Sequence, residues 1–133
     1  MSLVVDASCV VSALLDVRDE GSWAREVLLT DDLAAPELVL VEVGNVLRRF
    51  QLSERFSKLE AAAAHRDLLR MNIRLFPYAP LAERVWQLRE NMTTFDAAYV
   101  ALAGSLGAKL ATLDGRLSRA VPQWCHCLTP PGV

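Results

Sequence analysis

The sequence has no uninterrupted apolar run approaching the roughly 18 to 20 residues that a membrane helix needs. Its N-terminus also lacks a basic region, since the first arginine is Arg18. Neither a membrane span nor a secretory leader is expected, and the chain reads as cytoplasmic. Cysteine is scarce and odd in number: Cys9, Cys125 and Cys127 show no C-x-x-C spacing. On a strand, Cys125-His126-Cys127 would send both thiols to one face and the imidazole to the other, so all three cysteines read as reduced packing residues rather than a disulfide framework or a zinc site. There is no excess of positive charge either. The net charge is −2 and the isoelectric point about 5.6, so composition alone does not announce a nucleic-acid binder. Internal repeats are missing, and the only Pro/Gly-rich segment is the terminal PPGV.

What is present is a well-filled globular composition. Of 133 residues, 53% are hydrophobic and 23% charged, with mean hydropathy +0.24, far from the disordered class. The length suits one domain spanning residues 1–133, since single domains commonly run to about 100 to 200 residues. Strand-like runs fall at Leu3 to Asp6, Leu33 to Ala35, Ile73 to Phe76, Leu110 to Leu113 and Trp124 to Leu128, with longer helical patterns between them. Such alternation predicts an α/β fold: a parallel sheet with helices on both faces, its ligands bound beyond the carboxyl ends of the strands. Pro36 and Pro80 suit first-turn helix positions, Ser57-x-x-Glu60 is a capping box, and Ala61 to Ala64 favour helix.

Against that frame the stretch LVVDASCVV raises a question, because Asp6 interrupts an otherwise apolar strand. It ends the first strand at the sheet's carboxyl edge, where it suits either a helix N-cap or a ligand, and Ser8 suits either a cap or support for the carboxylate. Glu42 lies in PELVLVEVGNVLRRF, where at about 100° per residue Glu42, Asn45 and Arg49 share a stripe of roughly 60° beside Val39 and Val46. Asp96 follows Thr93, a candidate cap, in the first turn of a helix and shares a face with Tyr99, Val100 and Ala103. Asp114 follows KLATL, in the segment ATLDGRL, at another strand end, with Thr112 two residues earlier pointing to the same side. Each acid alone has a plain structural reading. Together, four carboxylates at one edge would repel one another and raise each other's pKa unless a cation is present. Oxygen ligands without a nearby His or Cys suit Mg²⁺ or Mn²⁺.

VVDAS, EVGNVLRR, FDAAYVALA and TLDGRL, in this order and at this spacing, make the sequence resemble the PIN-domain ribonucleases, specifically the VapC toxins of toxin–antitoxin pairs. The resemblance covers essentially the whole chain. It implies a sheet of order 3-2-1-4-5 and a metal-binding catalytic quartet of Asp6, Glu42, Asp96 and Asp114, supported by Ser8, Asn45 and Thr112. Some relatives carry a further acid after the fourth, where this chain has Gly115 and Arg116.

The activity so implied is Mg²⁺- or Mn²⁺-dependent hydrolysis of phosphodiester bonds in structured RNA such as tRNA or rRNA, by a metal-activated water. Arg48, Arg49 and Arg116 are candidate RNA contacts, with Arg18 and Arg25 as further basic positions. The implied partners are a VapB-like antitoxin that occludes the acidic pocket and a second copy of the chain in a homodimer. Other readings fit less well. A haloacid-dehalogenase-like enzyme needs a second Asp where Ser8 stands, and a receiver domain needs an Asp and a Lys that FPYAP and CLTPP do not supply. A non-enzymatic PIN-like scaffold binding RNA or protein is the alternative, disfavoured by an intact quartet.

Overall fold

The computed structural model of the chain describes residues 2–30 and 32–133. Five strands run through them: β1 (Ser2–Val5), β2 (Asp32–Pro36), β3 (Ile73–Phe76), β4 (Lys109–Ala111) and β5 (Cys127–Leu128). All pairings are parallel, in the order β3-β2-β1-β4-β5. The expected α/β sheet of order 3-2-1-4-5 is therefore the one that forms. Its helices are α1 (Ala7–Leu15), α2 (Asp19–Thr30), α3 (Leu38–Leu52), α4 (Lys58–Arg70), α5 (Ala82–Gln87), α6 (Thr94–Leu106) and α7 (Gly115–Ala120), with a 3-10 turn at Ala79–Leu81.

The chain steps from β1 out to β2 and β3, then crosses back to β4. Right-handed crossovers put helices from the two directions on opposite faces. Accordingly α1 packs against α2, α3 and α4, while α6 lies across β1, β2 and β4 and is backed by α5. Covered on both faces, β1 can be a continuous apolar run, and Val4 and Val5 are fully buried. Every residue of α6 from Ala97 to Ala103 is buried, as expected of a helix without a polar side. Gly107, at φ 61°, closes it in the left-handed conformation.

Local signals hold in part. Ser57 and Glu60 form the reciprocal capping box, and Pro80 sits in the first turn of the 3-10 segment. Pro36 differs: it ends β2 opposite Phe76, and α3 begins only at Leu38. At a strand end the missing N–H breaks little of the ladder, and Glu37 N–H donates to Phe76 O in its place. The last strand is shorter than the expected Trp124 to Leu128, because the N–H groups of Trp124 and Cys125 fold back onto Val121 O. The fourth stops at Ala111 rather than Leu113, since Leu113 N–H leaves the ladder for Ser8 Oγ.

Candidate active site

β1 and β4 are neighbours at the point where the strand order reverses, so the crevice beyond their carboxyl ends is the natural place for a ligand. Asp6 stands at the end of β1. Its N–H still pairs with Ala111 O, while its side chain turns to cap α1. Oδ1 accepts from Cys9 N–H at 3.0 Å and Ser8 Oγ at 2.6 Å, and Oδ2 accepts from Thr112 Oγ1 at 2.5 Å. The residue is 6% exposed. Burial pushes its carboxyl above the ordinary carboxylate range; the bonds from Ser8, Thr112 and Cys9 pull it back, and the charge of Asp114 adds to the rise.

Asp114 performs the same double task after β4. Its Oδ1 accepts from the N–H groups of Arg116 at 3.0 Å and Leu117 at 3.2 Å, capping α7. Its own N–H donates to Thr112 Oγ1 at 2.9 Å. Fully buried Thr112 therefore ties two acids together, donating to one and accepting from the backbone of the other. Ser8 stitches the same two segments, donating to Asp6 and accepting from Leu113 N–H at 3.0 Å.

The other two acids come from helices on opposite faces. Glu42 is half-buried on α3, and Tyr99 of α6 donates to its Oε1 at 2.8 Å. Burial raises the Glu42 carboxyl, the Tyr99 bond lowers it, and the charges of Asp6 and Asp96 raise it further. Asp96 sits in the first turn of α6, its N–H donating to Thr93 Oγ1 at 3.1 Å. Asp6 thus feels Asp114, and Glu42 feels both Asp6 and Asp96. The four carboxylates share one electrostatic neighbourhood. They do not close into a cage: among the described residues, no three His, Cys, Asp or Glu side chains are gathered tightly enough to enclose a metal ion. Each acid has a neighbour of its own: Ser8 and Thr112 at Asp6, Tyr99 at Glu42, and Arg116 at Asp96 and Asp114.

The supporting and basic residues separate clearly. Ser8 and Thr112 bond to the acids, whereas Asn45 is exposed and, among the described residues, its side chain has no hydrogen-bond partner. Arg48 and Arg49 are exposed at the end of α3. Arg18 pairs with Asp16, and Arg25 donates to the carbonyls of Ala13 and Asp16, so both hold the α1–α2 corner. Arg116 faces into the acidic edge, with Nη2 at 3.2 Å from Asp96 Oδ2 and 3.3 Å from Asp114 Oδ2.

The part played by Tyr99 escapes the sequence reading, in which it is only one apolar neighbour of Asp96. A hydroxyl-bearing ring among alanines and valines is the signal that could have found it, because a buried Tyr needs a partner for its O–H. Beside the acids a cavity of about 550 Å³ opens along Ser8, Val11, Ser12, Val46, Phe50 and Leu113, and Ser12 Oγ within it has no hydrogen-bond partner.

Comparison with known proteins accords with this geometry. A family model described as PIN domain matches residues 3–121. Ribonuclease VapC1 of Mycobacterium tuberculosis is 42% identical over 118 residues, covering 88% of this chain and 89% of that protein. Ribonuclease VapC9 of the same organism is 35% identical over 129 residues, covering 97% and 98%. Among solved structures, the crystal structure of Mycobacterium tuberculosis VapC20, a Sarcin-Ricin loop cleaving toxin, aligns with TM-score 0.69 at 21% identity over 89% of this chain and 94% of that one. VapBC2 from Rickettsia felis, bound to a DNA fragment from their promoter, aligns with TM-score 0.68 at 15% identity over 97% and 98%. These last two speak for the fold. With the family model spanning most of its length and curated relatives matching nearly end to end, the chain belongs to the PIN-domain family, in its VapC branch.

Proposed function

We propose that the chain is a divalent-metal-dependent endoribonuclease, the toxin of a VapBC-type pair, acting on structured RNA of the tRNA or rRNA kind. The observation that supports this reading is the electrostatic coupling of Asp6 with Asp114 and of Glu42 with Asp6 and Asp96, near the edge where the strand order reverses. Their chemistry fits a hard cation of the Mg²⁺ or Mn²⁺ type: the donors are all oxygen, and the two carboxyls raised by burial gain from a positive charge. These four residues would hold it. Bound there, the cation would supply an acidified water for attack on phosphorus and would offset charge on the phosphate and the leaving oxygen.

The chain's own residues prepare the edge for that role. Asp6 is fixed by three donors, so its carboxylate needs no reorientation when a ligand arrives. Tyr99 holds one oxygen of Glu42. Asp114 is anchored by the N-terminus of α7 through Oδ1 alone, while Oδ2 meets the exposed Arg116 guanidinium. Arg48 and Arg49, exposed on α3, are available to backbone phosphates without reading sequence. The antitoxin partner finds an apolar lining beside the acids, in the cavity between α1 and α3. A homodimer and a cytoplasmic setting complete the proposal.

The test is incubation of total bacterial RNA with purified protein in Mg²⁺, Mn²⁺ or EDTA, beside an Asp96→Ala variant. Discrete fragments that need the metal and vanish in the variant are expected. Equal silence of both proteins with either metal would sink the nuclease reading in favour of a binding scaffold.

A further inference from the structure

Arg116 occupies an unusual place for a basic residue: its Nη2 touches Asp96 Oδ2 and Asp114 Oδ2. On Asp114 this is the oxygen that the α7 cap leaves free, since Oδ1 is taken by two backbone N–H groups. On Asp96 it is the only hydrogen bond or ion pair of the side chain among the described residues. The guanidinium therefore sits on the very carboxylate oxygens that a cation at this edge would need. Its own side chain is 67% exposed and is held by nothing else, whereas Asp96 is only 19% exposed. Asp114 is anchored by the α7 cap and Asp96 is largely buried, whereas the exposed arginine is free to leave.

We infer that Arg116 is an internal competitor for the divalent cation: it neutralises Asp96 and Asp114 until a metal displaces it, and the displaced guanidinium then meets the phosphate backbone. The inference rests on the metal-site reading above and adds to it a residue that sets how tightly the site binds. Competition follows from charge alone, because a guanidinium and a divalent cation cannot both lie against the same two oxygens without repelling each other. The second half follows from shape. A planar fork of N–H donors released at the rim of the crevice suits a phosphate better than it suits two carboxylates on different helices, to which it gives a single shared nitrogen.

Mn²⁺ binding in the absence of RNA separates the possibilities, read as the loss of the free-ion signal in electron paramagnetic resonance. Arg116→Gln keeps the backbone N–H that caps onto Asp114 and removes the charge; Arg116→Lys keeps a charge without the fork. Wild type is expected to bind Mn²⁺, and Arg116→Gln to bind it about three- to tenfold more tightly, the scale set by losing two exposed ion-pair contacts, with Arg116→Lys in between. RNA cleavage at saturating Mn²⁺ should then show a raised KM for Arg116→Gln. Equal Mn²⁺ affinity in wild type and Arg116→Gln would overturn the competitor while leaving the metal site standing. No Mn²⁺ binding by any of the three proteins, each showing a native circular dichroism spectrum, would overturn both.

Discussion

Tyr99 Oη lies 2.8 Å from Glu42 Oε1, a single bond joining α6 on one face of the sheet to α3 on the other. Tyr99 is 2% exposed, and both burial and the Glu42 charge push its phenol well above its usual range, so it acts as a donor and never as a base. Tyr99→Phe keeps the ring and removes the bond. The bond lowers the Glu42 carboxyl, so its loss lets burial and the charges of Asp6 and Asp96 raise that carboxyl further. The acidic limb of the pH–rate profile should move to higher pH, and stability at neutral pH should fall by about 1 kcal/mol. An unmoved limb in the variant would show that Glu42 does not govern it.

Asp6 offers a prediction in which stability and activity part company. Its folded carboxyl is raised above the unfolded value, chiefly by burial. A group shifted this way adds stability that is complete below the ordinary carboxylate range and is lost as the pH rises through the folded value. At neutral pH in EDTA the ionised Asp6 is a cost. Asp6→Asn keeps an oxygen for Ser8 and Cys9 and removes the charge, so its melting temperature in EDTA should exceed wild type by roughly 3 °C near pH 7. The gain should shrink as the pH falls through the raised value of the folded carboxyl and the wild-type group takes up its proton. RNA cleavage should be abolished. A variant less stable than wild type across that range would mean that Asp6 matters mainly as a charged cap.

Much of this site was legible before any coordinates. The strand order follows from the resemblance and from five apolar runs interleaved with helices, and Asp6 and Asp114 stand out because a carboxylate closing an apolar run has few bland uses. The capping reading of Asp6 holds, with Oδ1 capping α1 while Oδ2 accepts from Thr112 across to β4. What the sequence hid depends on side-chain direction across long separations. Nothing in the spacing of Glu42 and Tyr99 says that two helices on opposite faces bring them together. Asn45 illustrates the converse, since a shared helical stripe with Glu42 leaves it exposed and unbonded three residues on. Arg116 reads in the sequence only as a candidate RNA contact, and nothing in the spacing says that it meets Asp96 twenty residues before it.

Thr112 is the joint of the site. It is fully buried, donates to Asp6 Oδ2 and accepts from Asp114 N–H. Thr112→Val preserves the shape and leaves both partners unsatisfied, at a cost of about 2 kcal/mol. Cleavage should fall about 10- to 100-fold, as when groups that orient metal ligands are removed. Thr112→Ser restores the hydroxyl and should recover most of the rate. If Ser and Val variants were equally impaired, the methyl packing and not the hydrogen bonds would be what matters.

Two glycines distinguish backbone constraint from helix propensity. A Cβ at Gly21 would lie 1.8 Å from Asp16 O and 2.6 Å from Asp16 C, in the corner where Arg25 also donates to that carbonyl. Backbone cannot retreat there without opening α1 from α2, so Gly21→Ala should cost about 3 kcal/mol, in the range of an overpacked interior. Gly44, within α3, would meet nothing within 4 Å. There the alanine only removes unfolded-state freedom and improves helix propensity, so Gly44→Ala should gain about 0.5 to 1 kcal/mol. Denaturant unfolding of the two variants checks both signs at once. A harmless Gly21→Ala would mean that the α1–α2 corner yields easily, and with it the frame that fixes the far end of the helix Asp6 caps.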